Sequence, residues 1–387
     1  MNRLLVLAAA MLVVLIAPQP GHAQSEDDAL RAGFQAVIDG LNDNSFKLFH
    51  EAIDQRAMVS RIIGTYAISQ DIREQLGDNP REWIESAFTS SFPPSEGEIL
   101  GTVIAFEVYE ETARALVRWE SSGYRFSYHT YELEVRGKDK FRIVDWIDYY
   151  KAGRFSELVA QSFVYTMPTP EATLQLLENK NRNEGEVFQM GEMFKAVRDK
   201  RHDRFFGIYD AMDESLRSEK IVTGLNLEMA MSWTDAGRTG RAFQAVVATY
   251  PQEPLYSLQL VGFYIATRQF EKVIPELETL QSGLGVTDGA TESLKVSAAM
   301  ALGDFERAEE FALNATKVEP DLELSWWSLL RARTAAQDWS GATEAMAELE
   351  DRFGHLLIPQ KLRRDRFLKA LIDQQEYKDW RAARDSG

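Results

Sequence analysis

The sequence predicts a multidomain protein in which an α+β domain with a curved, cone-like antiparallel sheet precedes an α-solenoid of helical hairpins. Two observations support this fold class. Residues 99–150 contain runs rich in β-branched and aromatic residues, separated by short turn-like breaks, which is typical of antiparallel strands. From residue 168 onward, apolar residues recur at helical spacing and a small residue recurs about every 34 positions, which is typical of stacked helical hairpins. We therefore place the α+β domain at 24–167 and the helical-repeat domain at 168–387.

In the α+β domain, helices are predicted to come first and strands second. Apolar residues at spacings of three and four predict helices at Asp28–Leu41 and Ser45–Gly64, and Pro80 opens a further helix that reaches Phe88. The strands are predicted at Ile99–Tyr109, Thr112–Ser121, Tyr124–Arg136 and Lys140–Tyr150. Because each layer has an apolar side to bury, we expect one face of the sheet to curl around the helices.

The repeat in the second half is marked by Ala242, Val273, Ala308 and Ala342. Each follows a short turn, and small side chains at these positions let two helices approach closely. The best repeats span residues 223–354, with poorer hairpins expected around 191–218 and a charged amphipathic pair as a cap at 359–383. The alternative, an unrelated array of helices, stays open.

Two copies of this pattern resemble tetratricopeptide repeats. The matching residues are Gly303, Asp304, Phe305, Ala308, Ala315 and Pro320 in one copy, and Trp326, Leu329, Asp338, Trp339 and Ala342 in the next. Lys295 and Val296 depart from the family, which has Leu-Gly there, and Val273 replaces a small Ala. The resemblance implies stacked hairpins, a groove lined by the first helix of each pair, and protein–protein interaction.

The last predicted strand and its exit, from Phe141 to Ser156, resemble the nuclear transport factor 2-like cone fold. In that family an Arg-Ile-x-Asp strand often runs into a loop and a helix, and Arg142 to Asp145 follow this pattern. The resemblance covers roughly Asp27 to Leu158. It implies a cone whose interior can hold a small ligand or, in some relatives, an acid–base site.

Composition suits large packed cores and excludes several kinds of partner. Apolar residues make up 45% of the chain, and 60 Asp and Glu outweigh 43 Lys and Arg, giving a net charge of −17. Such an acidic protein repels phosphate backbones, so we expect no nucleic-acid partner. The chain contains no cysteine, which excludes disulfides, a cysteine nucleophile and thiolate metal ligands.

The first residues predict a cleavable signal peptide, residues 1–23. Asn2-Arg3 precede an apolar run from Leu4 to Ala17, and Gly21-His22-Ala23 places small residues before a cut after Ala23. The run falls short of the ~20 apolar residues that span a bilayer, which favours cleavage over an uncleaved anchor. We therefore expect a periplasmic or secreted protein with no integral membrane segment after signal removal. The oligomeric state stays open.

The resemblance to tetratricopeptide repeats implies a partner-binding groove on the first helices. Its residues are Leu227, Met231, Leu258, Ile265, Met300, Trp327 and Arg331. Because these side chains are mainly apolar, they favour a buried segment of a protein or peptide over a captured C-terminal carboxylate, which needs several Lys, Arg and Asn. Trp327 and Arg331 are the expected anchors. The alternative is that the chain's own domains fill the groove.

The first alternative to this scaffold or adaptor function is a carrier or sensor of a small apolar ligand or lipid in the cone domain. The residues of this candidate pocket are Tyr109, Trp119, Phe126, Tyr128, His129, Asp145 and Tyr149. The second alternative is an isomerase- or dehydratase-like enzyme in which Asp145 and His129 perform acid–base chemistry. Strict alternation along the last strand places Ile143, Asp145 and Ile147 on one face.

The catalytic inventory favours a binding protein over an enzyme. The histidines are scattered without metal-ligand spacing, and the sequence lacks a Gly-x-Ser-x-Gly elbow and a complete glycine-rich loop. We therefore predict no catalytic residue, no metal and no cofactor.

Overall fold

A computed structural model describes residues 20–66, 70, 74, 80–89, 92, 99–121, 125–177, 180–233 and 235–385. It confirms the predicted fold class, because an antiparallel sheet in the N-terminal part is followed by a long series of helices. The predicted signal peptide lies outside the described residues except for its last residues, 20–23, which open the first helix. The proposed domain boundary near residue 168 stays a prediction.

The described residues of the N-terminal part contain helices α1–α4 and strands β1–β5. The helices are Pro20–Asn42 (α1), Lys47–Ala52 (α2), Gln55–Thr65 (α3) and Pro80–Thr89 (α4). The strands are Leu100–Val108 (β1), Thr112–Ser121 (β2), Arg125–Val135 (β3), Phe141–Asp148 (β4) and Gly153–Arg154 (β5). Each strand pairs antiparallel with the next along the chain, so the sheet is a meander. The short β5 was not predicted.

The helix predicted across 45–64 is wrong at its centre, where the chain leaves helical geometry. Ile53 forms a β-bridge with Ile143, and the Asp54 amide donates a hydrogen bond of 2.9 Å to the Ile143 carbonyl. The Asp54 side chain then caps α3 by accepting from the Ala57 amide. Apolar periodicity continues through this point, so tertiary pairing with β4 overrides the local helical pattern.

The sheet is covered on both faces. On one face, Tyr131 packs edge-on against Phe34 of α1 with ring centroids 5.4 Å apart, and Trp119 packs against Phe88 of α4. We call this the inner face. The opposite, outer face carries Arg118 and Tyr128, which are paired across β2 and β3 and contact the helical region.

Helices fill the rest of the described chain. They are Phe155–Thr166 (α5), Pro170–Leu176 (α6), Glu184–Arg198 (α7), His202–Asp210 (α8), Glu214–Arg217 (α9), Lys220–Met231 (α10), Ala236–Thr249 (α11), Ser257–Ala266 (α12), Phe270–Leu284 (α13), Gly289–Leu302 (α14), Phe305–Val318 (α15), Glu323–Ala335 (α16), Trp339–Phe353 (α17), Pro359–Leu362 (α18) and Gln375–Asp385 (α19). Short 3₁₀ helices occupy Pro254–Tyr256 and Leu368–Asp373. The pairs α10/α11, α12/α13, α14/α15 and α16/α17 form consecutive helical hairpins.

The second helices of these hairpins share a start signal and a buried contact. Asp235, Asp304 and Asp338 cap α11, α15 and α17 by accepting a hydrogen bond from a backbone amide in the first turn, as Asp does at many helix starts. The marker residues Ala242, Val273, Ala308 and Ala342 are all fully buried. Local capping and close helix packing therefore repeat together.

The C-terminal cap differs from the predicted pair of helices. The chain forms the short α18, then the 3₁₀ helix Leu368–Asp373, and only then the longer α19. Leu362, Leu368 and Leu371 are buried. Burial of these leucines therefore anchors the part of the segment that contains α18 and the 3₁₀ helix.

Candidate functional site

The outer face of the sheet meets the helical hairpins through a buried ionic cluster, which we call the sheet–repeat junction: Arg118, Tyr128, Asp288 and Glu319. Arg118 is only 1% exposed. One of its terminal nitrogens donates to Asp288 Oδ2 and to Glu319 Oε2, both at 2.7 Å, and the other donates to Glu319 Oε1 at 2.7 Å. The Tyr128 hydroxyl donates to the same Asp288 oxygen at 2.9 Å. One guanidinium therefore ties β2 to two separate connections of the repeat region.

The acidic side of the junction is built where second helices lead into the next first helices. Asp288 is the N-cap of α14, and its second oxygen accepts from the Thr291 amide at 2.8 Å. Glu319 follows α15 and accepts from the Gly289 amide at 3.1 Å. A Cβ on Gly289 would lie 2.9 Å from the Glu319 side chain, so a larger residue there would displace that carboxylate.

The electrostatics of the junction favour a permanently charged, structural link. Burial alone would lower the pKa of Arg118, but its hydrogen bonds to Glu319 and the charge of Asp288 outweigh burial and raise it. Burial and the Asp288 charge raise the pKa of Tyr128 well above its ordinary value. Neither group exchanges a proton near neutral pH. Because removing two charges from water can cost as much as their attraction returns, the cluster is weak evidence for added stability.

Two further contacts place the sheet along one edge of the hairpin stack. The Tyr149 hydroxyl donates to the Gly283 carbonyl at 3.2 Å, at the end of α13. The Gln259 side chain in α12 donates to the Tyr150 carbonyl at 2.6 Å. These partners lie where second helices end and first helices begin. The sheet therefore borders the N-terminal ends of α12 and α14, while the C-terminal ends of the first helices lie at the opposite edge.

The predicted groove residues differ in accessibility. Leu227 and Met300 are buried, Leu258 is half-buried, and Met231 and Ile265 are 44% and 38% exposed. Gly262 and Ser297 are also exposed on the first helices. We call the exposed set Met231, Gly262, Ile265 and Ser297 the first-helix face. Leu227 and Met300 belong to the core of the stack, because a helix buries more of its circumference when it has neighbours on both sides.

Trp327 and Arg331, the predicted anchors, contact the chain's own C-terminal segment. Arg331 Nε donates to Asp365 Oδ2 at 2.7 Å. The Trp327 indole donates to Glu323 at 2.8 Å, and its ring packs edge-on against His355. The predicted groove residues on α16 are therefore already in contact with His355 and Asp365 of this chain.

The structure does not bring the seven candidate pocket residues together. Trp119 and His129 lie on the inner face, whereas Phe126, Tyr128 and Tyr149 lie on the outer face that meets the repeats. Tyr109 is exposed at the β1–β2 turn, where it donates to Glu107 and borders a separate surface cleft of about 290 Å³. These seven residues therefore do not line one common pocket.

A β-bulge separates Asp145 from His129, which are the acid–base pair of the enzyme alternative. Leu133 pairs with Ile143 but Glu132 pairs with Asp145, so Val144 is an extra residue in β4. Side chains therefore change faces at this point, and Asp145 lies on the outer side while Ile143 and His129 lie on the inner side. The strict alternation expected for β4 is wrong at the bulge.

Asp145 stabilises the start of a helix. Its Oδ1 accepts from the Ser156 amide at 3.1 Å and its Oδ2 from the Ser156 hydroxyl at 2.6 Å, in the first turn of α5. His129 instead lies 3.6 Å from Asp148 Oδ2 and 3.2 Å from the Tyr131 hydroxyl within the aromatic inner layer. Asp145 therefore holds the first turn of α5, whereas His129 packs within the aromatic inner layer.

Sequence reasoning missed the sheet–repeat junction. Arg118 occupies an outward position of β2, where a charged residue is ordinary, and Asp288 is recognisable only as a helix cap. Their contact joins residues that are far apart in sequence, and a single sequence carries no signal for such a pair. Among the described residues, no group of three or more His, Asp and Glu side chains is arranged to hold a metal ion. No helix in the described ranges is both long and apolar enough to cross a bilayer.

Comparisons with known proteins leave the family open. No family model and no curated protein matches the chain. A solved structure, "Crystal structure of PilW, widely conserved type IV pilus biogenesis factor", superposes with a TM-score of 0.34 at 11% identity, covering 53% of this chain and 94% of that one. A superposition at this TM-score and identity does not assign the chain to a family, and the tetratricopeptide and cone-fold resemblances remain predictions.

Proposed function

We propose that the protein is an exported adaptor that binds a segment of a partner protein on its first-helix face. The observation that carries the proposal is the exposure of Met231 and Ile265 near the ends of successive first helices, on the edge away from the sheet. The chain's own C-terminal segment contacts α16, so the accessible part of the predicted groove is centred on α10, α12 and α14.

The chemistry of the first-helix face suits an apolar segment. Met is a flexible side chain that adapts to varied apolar surfaces, and Ile265 adds apolar area one hairpin further on. A Cβ built on Gly262 meets nothing within 4 Å, so a partner backbone can approach α12 closely there. A helix or an extended strand of a partner protein fits these features.

The junction supports an adaptor because it holds the sheet in one orientation relative to the hairpins. A partner bound on the first-helix face would therefore have a defined position relative to the N-terminal domain. We infer a binding protein and not an enzyme, since both oxygens of Asp145 already accept hydrogen bonds from Ser156.

Site-specific photo-crosslinking in the native host tests the proposal. A photoreactive amino acid in place of Met231 or Ile265 should give one discrete crosslinked product, identified by mass spectrometry. The same amino acid in place of Val247, which is 42% exposed on the second helix α11, is the matched control and should give none. An additional Ile265→Asp substitution should weaken crosslinking from position 231 at least about tenfold, because burying an apolar side chain contributes roughly 1.5–3 kcal/mol. Products from position 247 alone would reject the first-helix face.

A further inference from the structure

Basic residues crowd the C-terminal segment of this acidic protein. They are Lys361, Arg363, Arg364, Arg366 and Lys369, and we call them the C-terminal basic surface. All are exposed. The segment runs from the short α18 into the 3₁₀ helix that follows, so these side chains lie within a few turns of one another.

The local fold turns these cations toward solvent. Leu362 and Leu368 are buried, and the 3₁₀ helix that contains Leu368 packs against α16 of the last hairpin. Asp365, the acidic residue among the cations, is turned inward and pairs with Arg331 at 2.7 Å. Within the described part of the chain, none of the basic residues in the set forms an ion pair with a carboxylate.

Unpaired cations are unexpected in a chain with 60 Asp and Glu and a net charge of −17. Other exposed arginines of the C-terminal region do have partners: Arg384 pairs with Asp351, and Arg352 pairs with Asp321. The charge of the rest of the molecule does not cancel the local field, because solvent-exposed charges are screened beyond about 8 Å at physiological ionic strength. The surface is therefore available to an external anion.

Apolar side chains accompany the cations. Leu356 is 55% exposed in the link that precedes α18, and the Arg366 guanidinium lies 4.4 Å from the centre of the partly buried Phe367 ring. The charges alone would also suit a soluble acidic peptide. A lipid surface, by contrast, is bound by basic groups at the headgroups together with apolar side chains at the acyl boundary.

We infer that the C-terminal basic surface binds the headgroups of an anionic lipid membrane, with Leu356 entering the interface. The protein would then associate peripherally through the end of its hairpin stack. The first-helix face lies on earlier hairpins and would stay accessible, so this inference is independent of the proposed adaptor function.

Vesicle co-sedimentation of the purified protein tests the inference. We expect binding to vesicles that contain phosphatidylglycerol and not to vesicles of phosphatidylcholine alone, with the bound fraction falling as salt is raised. Each basic side chain near an anionic surface strengthens binding about fivefold. The triple variant Arg363→Gln, Arg364→Gln, Arg366→Gln should therefore bind about a hundredfold more weakly. Leu356→Ser should weaken binding severalfold without changing its salt dependence.

A charge-matched control distinguishes the effect of this surface from the effect of the protein's net charge. The triple variant Lys47→Gln, Lys200→Gln, Arg268→Gln removes the same charge from exposed positions that are scattered along the chain, and it should keep wild-type binding. Equal loss in both triple variants, or no binding of the wild type, would overturn the inference. Binding of a polyglutamate peptide as tightly as anionic vesicles, with no effect of Leu356→Ser, would assign the surface to an acidic protein partner instead.

Discussion

At the scale of single residues, burial and hydrogen bonding act against each other at the partly buried Glu276 carboxylate, whereas the Asp145 carboxylate is held by two hydrogen bonds to Ser156. Asp145 is fully buried but accepts from both the amide and the hydroxyl of Ser156. Glu276 in α13 accepts from the Ser257 hydroxyl at 2.6 Å. Burial nevertheless raises the pKa of Glu276, and the Ser257 hydrogen bond offsets this only in part.

A neutral side chain at position 276 is expected to stabilise the protein near pH 7. Because the pKa of Glu276 is raised on folding, the native state holds its proton more tightly, and stability falls as pH rises above the ordinary Glu value of 4.5. Glu276→Gln keeps an oxygen that can accept a hydrogen bond from Ser257. Because its amide does not ionise, the variant lacks the fall in stability that the wild type shows as pH rises. Its Tm should exceed that of the wild type near pH 7 and equal it near pH 4. Glu278→Gln removes the same charge from the exposed side of the same helix and is the matched control; an equal gain in Tm in both variants would contradict the prediction.

At the scale of elements, several helices begin directly after an aspartate whose side chain caps them. Asp54 starts α3 immediately after the β-bridge at Ile53, and Asp304 starts α15 immediately after Gly303, whose φ of +79° ends α14. A left-handed residue followed by a capping aspartate makes a tight turn between two helices. These local signals explain why the hairpin turns were recognisable in the sequence.

Removing one helix cap should lower the free energy of unfolding by a predictable amount. Asp304→Ala is expected to lower the free energy of unfolding by about 1 kcal/mol, because the amide of Arg307 loses its acceptor. Asp304→Asn keeps a capping oxygen and should retain most of the stability. Urea denaturation followed by circular dichroism measures both variants. Equal losses in the two would show that the charge of Asp304, and not its capping hydrogen bond, is what matters.

At the scale of the whole molecule, Arg118 is central among the polar groups that connect the sheet and the hairpins in the described part of the chain. Its guanidinium reaches Asp288 and Glu319 in two different connections of the stack. The adaptor model needs this link, because the orientation of the two parts depends on it.

Loss of Arg118 should uncouple the two parts. Arg118→Ala leaves the buried Asp288 carboxylate without its cation, and removal of one partner from a buried ion pair costs roughly 3–5 kcal/mol. Hydrogen exchange measured by mass spectrometry should rise together in β2, β3 and the start of α14. Arg307→Ala, which removes a half-exposed arginine, should cost less than about 1 kcal/mol. Unchanged exchange at α14 in Arg118→Ala would show that the remaining contacts hold the sheet in place without Arg118.

The sequence by itself determined the order of elements, four of the five strands, and the helical hairpins with their buried Ala308 and Ala342. These features follow from periodicity and turn residues, which act within about one helical turn or one strand pair. The tertiary structure alone decided the break in the helix at Ile53 and the bulge at Val144, which places Asp145 and His129 on different faces. It also decided the ion pair between Arg331 and Asp365. Each of these depends on a contact between distant segments. Such contacts are selected by packing and by the burial of charge, neither of which leaves a local pattern in one sequence.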